Sequence, residues 1–234
     1  MLQLSALELL LRLGVASLCG GLIGIERGRK HRAAGFRTYM LVCMGAALTM
    51  VLGTYLAIMV ESELWHLDPT ANYAKTDVSR FGAQVINGIG FIGAGTIIIT
   101  KRRQVKGLTT AAGLWAAAIV GLCCGAGFFE GAVLATLIIL MAELVFAKLE
   151  YYIVSNSRVM NLYVEYASSN DLGSIVDTVK KTGAFIVDME ISKSSGEDAH
   201  PCVIVSIQKP RKISSQALMA IVAKQDGVVS VEEL

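Results

Sequence analysis

The sequence predicts a membrane α-helical bundle of five transmembrane helices, followed by a small α+β domain with the ferredoxin-like order βαββαβ. Three observations carry this. The 234 residues are 54% hydrophobic and only 17% charged, against about 25% in soluble domains, which is too little charge to cover a water-facing surface. Five stretches are apolar and long enough to cross a hydrocarbon core, which takes about 20 residues of helix. After residue 152 the continuous apolarity gives way to short segments that alternate between periods of 2 and 3.6.

The expected spans are approximately 4–25, 38–60, 81–100, 108–127 and 129–149. The first has neither a basic start nor a small-residue cleavage site and runs straight into a cationic loop, so it is expected to remain as a span rather than to be removed as a signal peptide. Arg27, Arg29, Lys30, Arg32 and Arg37 lie between the first two spans, and Lys101, Arg102, Arg103 and Lys106 between the third and fourth. In the second-to-third connection, Lys75 and Arg80 are offset by Glu61, Glu63, Asp68 and Asp77. The positive-inside rule then places the basic loops in the cytoplasm, the N-terminus outside and everything after Lys148 inside. Trp65, Tyr73, Phe128 and Phe129 fall near the expected outer interface and Tyr151 and Tyr152 near the inner one, where amphipathic rings are favoured.

The bundle is expected to occupy 1–152 and the second domain 158–234, joined by a short linker at 154–158. Strand patterns begin near Leu162, Ala184, Cys202 and Val228, with helical patterns from Asp171 and from Ser214 or Ser215 between them. Gly183 and Gly227 are placed as C-cap glycines; Ser214 or Ser215 can cap the second helix, and Asp171 the first.

Within the third expected span, Gly88, Gly90, Gly93 and Gly95 interrupt an apolar run, as where another backbone or a ligand must come close. Asp77, Arg80, Gln84 and Asn87 recur at intervals of three and four and so share one helical face. That stripe can serve interhelical hydrogen bonds or an outward-facing polar vestibule. Gly20, Gly24 and Gly28, like Gly121 and Gly125, have the spacing of close helix packing. Glu8 and Arg12 can pair or snorkel at the outer end, and Glu143 can snorkel at the inner one. Glu26 is a carboxylate at an anionic membrane face, so it is expected to pair with an arginine such as Arg27 or Arg37, or to bind a cation. Thr109 and Thr110 open the fourth span and can cap it or join a polar site with Glu26 and Arg37.

The five cysteines have no CxxC spacing and read as buried packing residues, and His31, His66 and His200 form no ligand cluster in sequence. No nucleophile–base set, phosphate loop or metal motif appears, so neither enzymatic activity nor a bound cofactor is expected. Nor is a nucleic-acid partner.

The segments GGLIGIERGRKHRAAGFRT, QVINGIGFIGAGTII and VKGLTTAAGLWAAAIVG, taken together and in this order, closely resemble the MgtC/SapB family of bacterial inner-membrane proteins. The positions that match are Gly24, Glu26, Arg27, Gly35, Arg37 and Thr38, then Gly88, Gly90, Gly93 and Gly95, then Gly107, Thr109, Thr110 and Trp115. Phe36 and Ile92 stand where leucine is frequent. The βαββαβ tail resembles the ACT-like cytoplasmic domain that many members carry. The resemblance implies a multi-pass protein of the bacterial inner membrane that acts in adaptation to low magnesium, within a family associated in pathogens with survival inside host cells.

Two functions follow from that resemblance. One is regulation of a membrane partner, such as an F-type ATP synthase, with the tail domain sensing a small ligand or mediating a homo-oligomer such as a dimer. The other is transport of Mg²⁺ or another cation along the third span. Magnesium prefers oxygen ligands, carboxylates above all, and the expected spans hold few: Glu8 and Glu143 lie toward opposite ends and Asp77 in the outer loop. Regulation is therefore the favoured expectation, with Mg²⁺ as signal or substrate.

Overall fold

A computed structural model describes residues 5–30, 32–67, 77–100, 104–155, 159–168, 170–192, 200–210 and 213–234. The chain divides into two compact units, Met1–Leu149 and Glu150–Leu234.

In the first unit, α1 (Ala6–Arg29) starts at Ser5, whose hydroxyl accepts from the Glu8 N–H at 3.1 Å and satisfies one of the unpaired donors of the first turn. α2 (Phe36–Leu67) and α3 (Ser79–Gly95) follow, then a short antiparallel hairpin of β1 (Ile98–Ile99) and β2 (Val105–Lys106). α4 (Leu108–Ala126) begins at Gly107, whose φ of +98° only glycine adopts without strain. α5 (Phe129–Met141) continues through a π-helical turn at Ala142–Phe146 into α6 (Ala147–Ser155). Among the described residues, four helical segments are long and apolar enough to cross a membrane: Ala6–Arg29, Phe36–Val60, Leu108–Ala126 and Phe129–Val154.

The expected third span, 81–100, is corrected. The helix ends at Gly95, where the Thr96 hydroxyl donates to the Gly93 carbonyl at 2.7 Å. The next residues, Ile97 to Thr100, are all β-branched, which disfavours helix and suits the hairpin strand that replaces it. α3 is thus a helix of 17 residues, about 25 Å long at 1.5 Å per residue.

Glycines set how closely the helices meet. A Cβ on Gly20 would lie 2.6 Å from the Tyr39 carbonyl oxygen and 2.7 Å from Cys43 Cβ, and one on Gly24 would lie 2.7 Å from Phe36 Cα. Across α2, Gly121 and Gly125 of α4 sit against the carbonyl oxygens of Cys43 and Ala47. α2 is therefore gripped from both sides by backbone-to-backbone packing. Between the contacts lie the apolar clusters Ala16, Cys19, Cys43, Ala47, Val120, Cys124 and Ala132, and Ile23, Ala34, Tyr39, Ala46, Ile89, Leu114, Ala117 and Ala118.

The second unit has the element order β3 (Val159–Tyr166), α7 (Asp171–Lys181), β4 (Phe185–Ser192), β5 (Cys202–Gln208), α8 (Ser215–Ala223) and β6 (Val228–Glu233). The strands form an antiparallel sheet in the order β4-β5-β3-β6, with Leu162 opposite Val205 and Val164 opposite both Val203 and Val231. Alternation puts Met160, Leu162, Val164, Val203, Val205 and Ile207 on one face, where Ile175 and Val179 of α7 and Leu218 and Val222 of α8 cover them. Gly183 and Gly227 take φ of +78° and +85° behind the two helices, and Ser214 caps α8 by accepting from the Ala217 N–H at 3.2 Å. Asp171 does not cap α7. Asn170 holds that position without a side-chain bond, and the Asp171 carboxylate accepts from the Ser168 N–H at 3.0 Å.

Candidate functional site

The end of α1, the start of α2, the first turn of α4 and the π-helical turn after α5 converge on a buried polar cluster. Arg27 is 5% exposed, and its Nη2 donates to the Thr110 hydroxyl at 2.9 Å. Its Nε lies 3.9 Å from Glu143 Oε1, an ion pair with both side chains 7% exposed. Tyr39, fully buried, donates its hydroxyl to the Thr110 carbonyl at 3.4 Å. Gly113 makes room for this group: a Cβ there would fall on the Tyr39 hydroxyl and 3.4 Å from Glu143 Oε1. Beside the cluster, Glu26 is also buried and pairs with Lys30 one turn further along α1.

The local sequence explains each placement. α1 turns Ile23, Gly24, Glu26 and Arg27 inward, so the face that packs through Gly24 also carries the two charges. Glu143 is the buried residue of the π-helical turn, while Met141, Leu144, Val145 and Phe146 around it are exposed. A π turn adds a residue to the helical repeat and so redirects the side chains within it, and such turns recur at functional sites. The expectation that Glu143 snorkels outward is corrected: it points into the bundle. A carboxylate within an otherwise apolar run was the signal available in the sequence, and the side Glu143 takes depends on the π turn.

The expected pairing of Glu26 with an arginine is also corrected. Lys30 sits on the same helical face at i+4, whereas Arg27 is occupied by Thr110 and Glu143, and Arg37 is exposed in the first turn of α2 with Thr38. Thr110 joins the polar cluster; Thr109 and Trp115 are exposed, and neither threonine caps α4. Gly35 meets Gly28 across the α1–α2 turn, with 3.3 Å from its Cβ position to the Gly28 Cα. Gly107 is held over the Thr96 carbonyl and fixes the hairpin-to-helix step. Tyr39 and Gly113 belong to the site and were missed in the sequence, where a tyrosine and a glycine in apolar helices read as packing.

Two buried carboxylates, an arginine and a lysine leave the cluster formally neutral, yet it is incompletely bonded. Among the described residues, Glu26 Oε2, Glu143 Oε2 and Arg27 Nε are buried without a hydrogen-bond partner, while Glu26 Oε1 is taken by Lys30. Such atoms in a low-dielectric interior favour a further polar ligand or a rearrangement that satisfies them. Among the described residues no group of three or more His, Cys, Asp or Glu side chains is arranged to hold a metal ion.

The third helix is used differently. Among the described residues, Gly93 packs on α4, with 3.4 Å from its Cβ position to Ala111 Cβ, and Gly82 lies at ordinary contact distance from Leu122, 3.8 Å; around Gly88, Gly90 and Gly95 nothing lies within 4 Å. Gly90 therefore does not mediate helix packing in this chain. Asp77, Arg80, Gln84 and Asn87 do share a face, but it is exposed and lines no interior vestibule. The Ser79 hydroxyl and backbone N–H both donate to Asp77 Oδ1, at 2.5 and 3.0 Å, and hold that carboxyl below its ordinary pKa. At the opposite end of α1 from the cluster, Arg12 pairs with Glu8 at 2.5 Å and donates to the Gly125 carbonyl at 2.6 Å, closing the C-terminal end of α4.

Comparison with known proteins places these features in a common frame. The chain is 32% identical over 225 residues to the Escherichia coli (strain K12) protein named "Putative magnesium transporter YhiD", covering 96% of this chain and 97% of that one. It is 32% identical over 223 residues to an uncharacterized protein of Haemophilus influenzae, covering 93% and 89%. It is 42% identical over 125 residues to the protein MgtC of Brucella abortus, covering 53% and 45%. The MgtC family model matches residues 13–152, the stretch that holds the glycine contacts, the polar cluster and the π turn. On the extent of that match and the full-length similarity to YhiD, the chain belongs to the MgtC family.

Proposed function

We propose that this protein is a regulator in the bacterial inner membrane that acts on a membrane partner during adaptation to low magnesium. α3 serves as a fifth span, the N-terminus lies outside, and the sheet unit is an ACT-like domain in the cytoplasm. The supporting observation is the distribution of buried polar groups. Glu26, Arg27, Thr110 and Glu143 lie at one end of the bundle, while Ala16, Cys19, Cys43, Ala47, Val120, Cys124 and Ala132 fill the interior toward Arg12, where the buried Thr136 hydroxyl donates to the Ala132 carbonyl of its own helix. Mg²⁺ gives up its water reluctantly, and an apolar interior offers a hydrated ion no path. A closed polar cluster that ties four helix segments together suits a protein that changes conformation more than one that conducts.

Transport is the second reading. It draws on the name of the Escherichia coli relative and on the second carboxylate oxygen, Oε2, of Glu26 and of Glu143, each buried without a partner among the described residues. A Mg²⁺ flux assay in proteoliposomes decides between the two: the regulatory reading expects the flux of empty vesicles, and flux above it that Glu143→Gln abolishes would establish transport. Topology is tested separately by labelling cysteines in intact cells with a membrane-impermeant maleimide. Asp77→Cys is expected to react and Asp188→Cys to be protected, and the reverse would overturn the orientation.

A further inference from the structure

α3 pays for features that its own bundle does not use. Ile89 and Gly93 face the bundle, and on the opposite side the helix presents Arg80, Gln84, Asn87 and Phe91, the last 84% exposed. Among the described residues, neither the Gln84 nor the Asn87 amide has a hydrogen-bond partner, and both side chains are exposed. Ala83, Ala94, Gly88 and Gly95 flank this stripe, and the glycines among them have open space where a Cβ would stand. Glycine inside a helix is less favourable than alanine by about 1 kcal/mol, and an amide facing lipid tails has nothing to bond with. Small residues and amides occur together where a second helix approaches closely and hydrogen-bonds across the contact.

We propose that this outer face of α3 is the surface on which a second copy of the same chain docks in the membrane, about a twofold axis normal to the bilayer. The inference rests on α3 being a membrane span, as proposed above. The chemistry of the stripe selects a like partner. Copies inserted in the same orientation bring like residues together, so the face must be self-complementary. Asn and Gln are: each amide carries donors and an acceptor, so the same side chains on two copies satisfy one another. Asp77 and Arg80 lie one turn apart at the start of the helix, so a parallel pair sets each aspartate near the other copy's arginine. Phe91 of one copy covers the glycine-lined surface of the other. The face thus offers opposite charges at its outer end, amides in the middle and a ring against glycine toward its inner end.

The test uses the full-length protein in native membranes with its native cysteines retained, the unsubstituted chain giving the background. Asn87→Cys is expected to form an oxidative cross-link of twice the chain mass. Leu137→Cys, on the exposed face of α5, is expected to form none above background. Gly88→Leu should weaken self-association about tenfold without lowering the melting temperature of the monomer, because none of the described residues of its own bundle lies within 4 Å of that Cβ position. Equal cross-linking at both cysteines, an Asn87→Cys adduct with a different protein, or undiminished association of Gly88→Leu would each overturn the proposal. An Asn87→Cys that is sealed from an impermeant maleimide yet gives no cross-link would overturn the docking and leave the fifth span standing. One that reacts with the maleimide would put the stripe in water and overturn both.

Discussion

Arg27 of α1 and Thr110 of α4 stand 83 positions apart in the chain and join through one buried hydrogen bond of 2.9 Å. The bond fixes the end of one helix to the beginning of another, and it leaves the remaining face of the guanidinium for Glu143. Removing one partner of such a pair costs more than the bond itself, because the other is left buried and unsatisfied.

Thr110→Val keeps the shape and removes the acceptor. It is expected to lower stability by about 1–3 kcal/mol. Arg27→Met strands the Glu143 carboxylate and should cost more, about 3–5 kcal/mol. Thermal melting in detergent measures both. The double variant should lose less than the sum of the two losses, and strict additivity would show that the two side chains are not coupled.

Glu26 is expected to depend on Lys30 and not on Arg37. Lys30→Met should cost at most about 1 kcal/mol, since the lysine is 44% exposed and solvent screens the pair. Arg37→Ala should stay within about 0.5 kcal/mol of the parent. Glu26→Gln should fold and lose activity in a low-magnesium growth assay. If that assay shows full activity for Glu26→Gln, the residue has no functional role.

Within the repeat Gly20, Gly24 and Gly28, the structure separates contact from coincidence. Gly24→Ala places a methyl 2.7 Å from Phe36 Cα and should cost about 1–3 kcal/mol as overpacking. Gly28→Ala has its nearest neighbour at 3.9 Å and should be neutral or stabilise the helix slightly. Equal melting temperatures for the two variants would mean that α1 and α2 pack less tightly than described.

In the second unit, residues 158–234 are expected to fold alone and to unfold cooperatively in urea, because the core under the sheet is complete within the unit. Gly227→Ala should destabilise this fragment more than Gly183→Ala. Both residues have positive φ, which costs about 1 kcal/mol or more for alanine, but only at Gly227 would the added methyl also strike a side chain, that of Asp171. A disordered circular dichroism spectrum would refute independent folding.

Elements fixed by local chemistry were readable in the sequence. The strands of the second unit followed from alternation, its two helix ends from Gly183 and Gly227, and the close helix contacts from Gly20, Gly24, Gly121 and Gly125. The site was only partly readable. Arg27, Glu26 and Thr110 were marked by the family motif, but their partners depended on tertiary packing: Lys30 prevails over Arg37 because a shared helical face brings it close, and Glu143 is turned inward by a π turn that no spacing rule signals. Gly88, Gly90, Gly93 and Gly95 of the third helix gave one pattern for two situations. Gly93 sits against Ala111, while Gly88, Gly90 and Gly95 face away from α4, and a one-dimensional sequence does not say which side of a helix its own chain will cover.

Cys43 lies between Gly20 of α1, which meets its Cβ, and Gly121 of α4, which meets its carbonyl oxygen. One peptide unit of α2 therefore gauges the distance to two neighbours at once. In a genetic screen, damage from an enlarged residue 20 would be passed through residue 43 to the far side of the bundle. No smaller residue than glycine exists to relieve it at 121, and trimming the cysteine to alanine leaves both its Cβ and the Tyr39 carbonyl oxygen in place, so side-chain suppressors in this layer should be rare. The spacing here is set by backbone, and changes in its three helices must be inherited together.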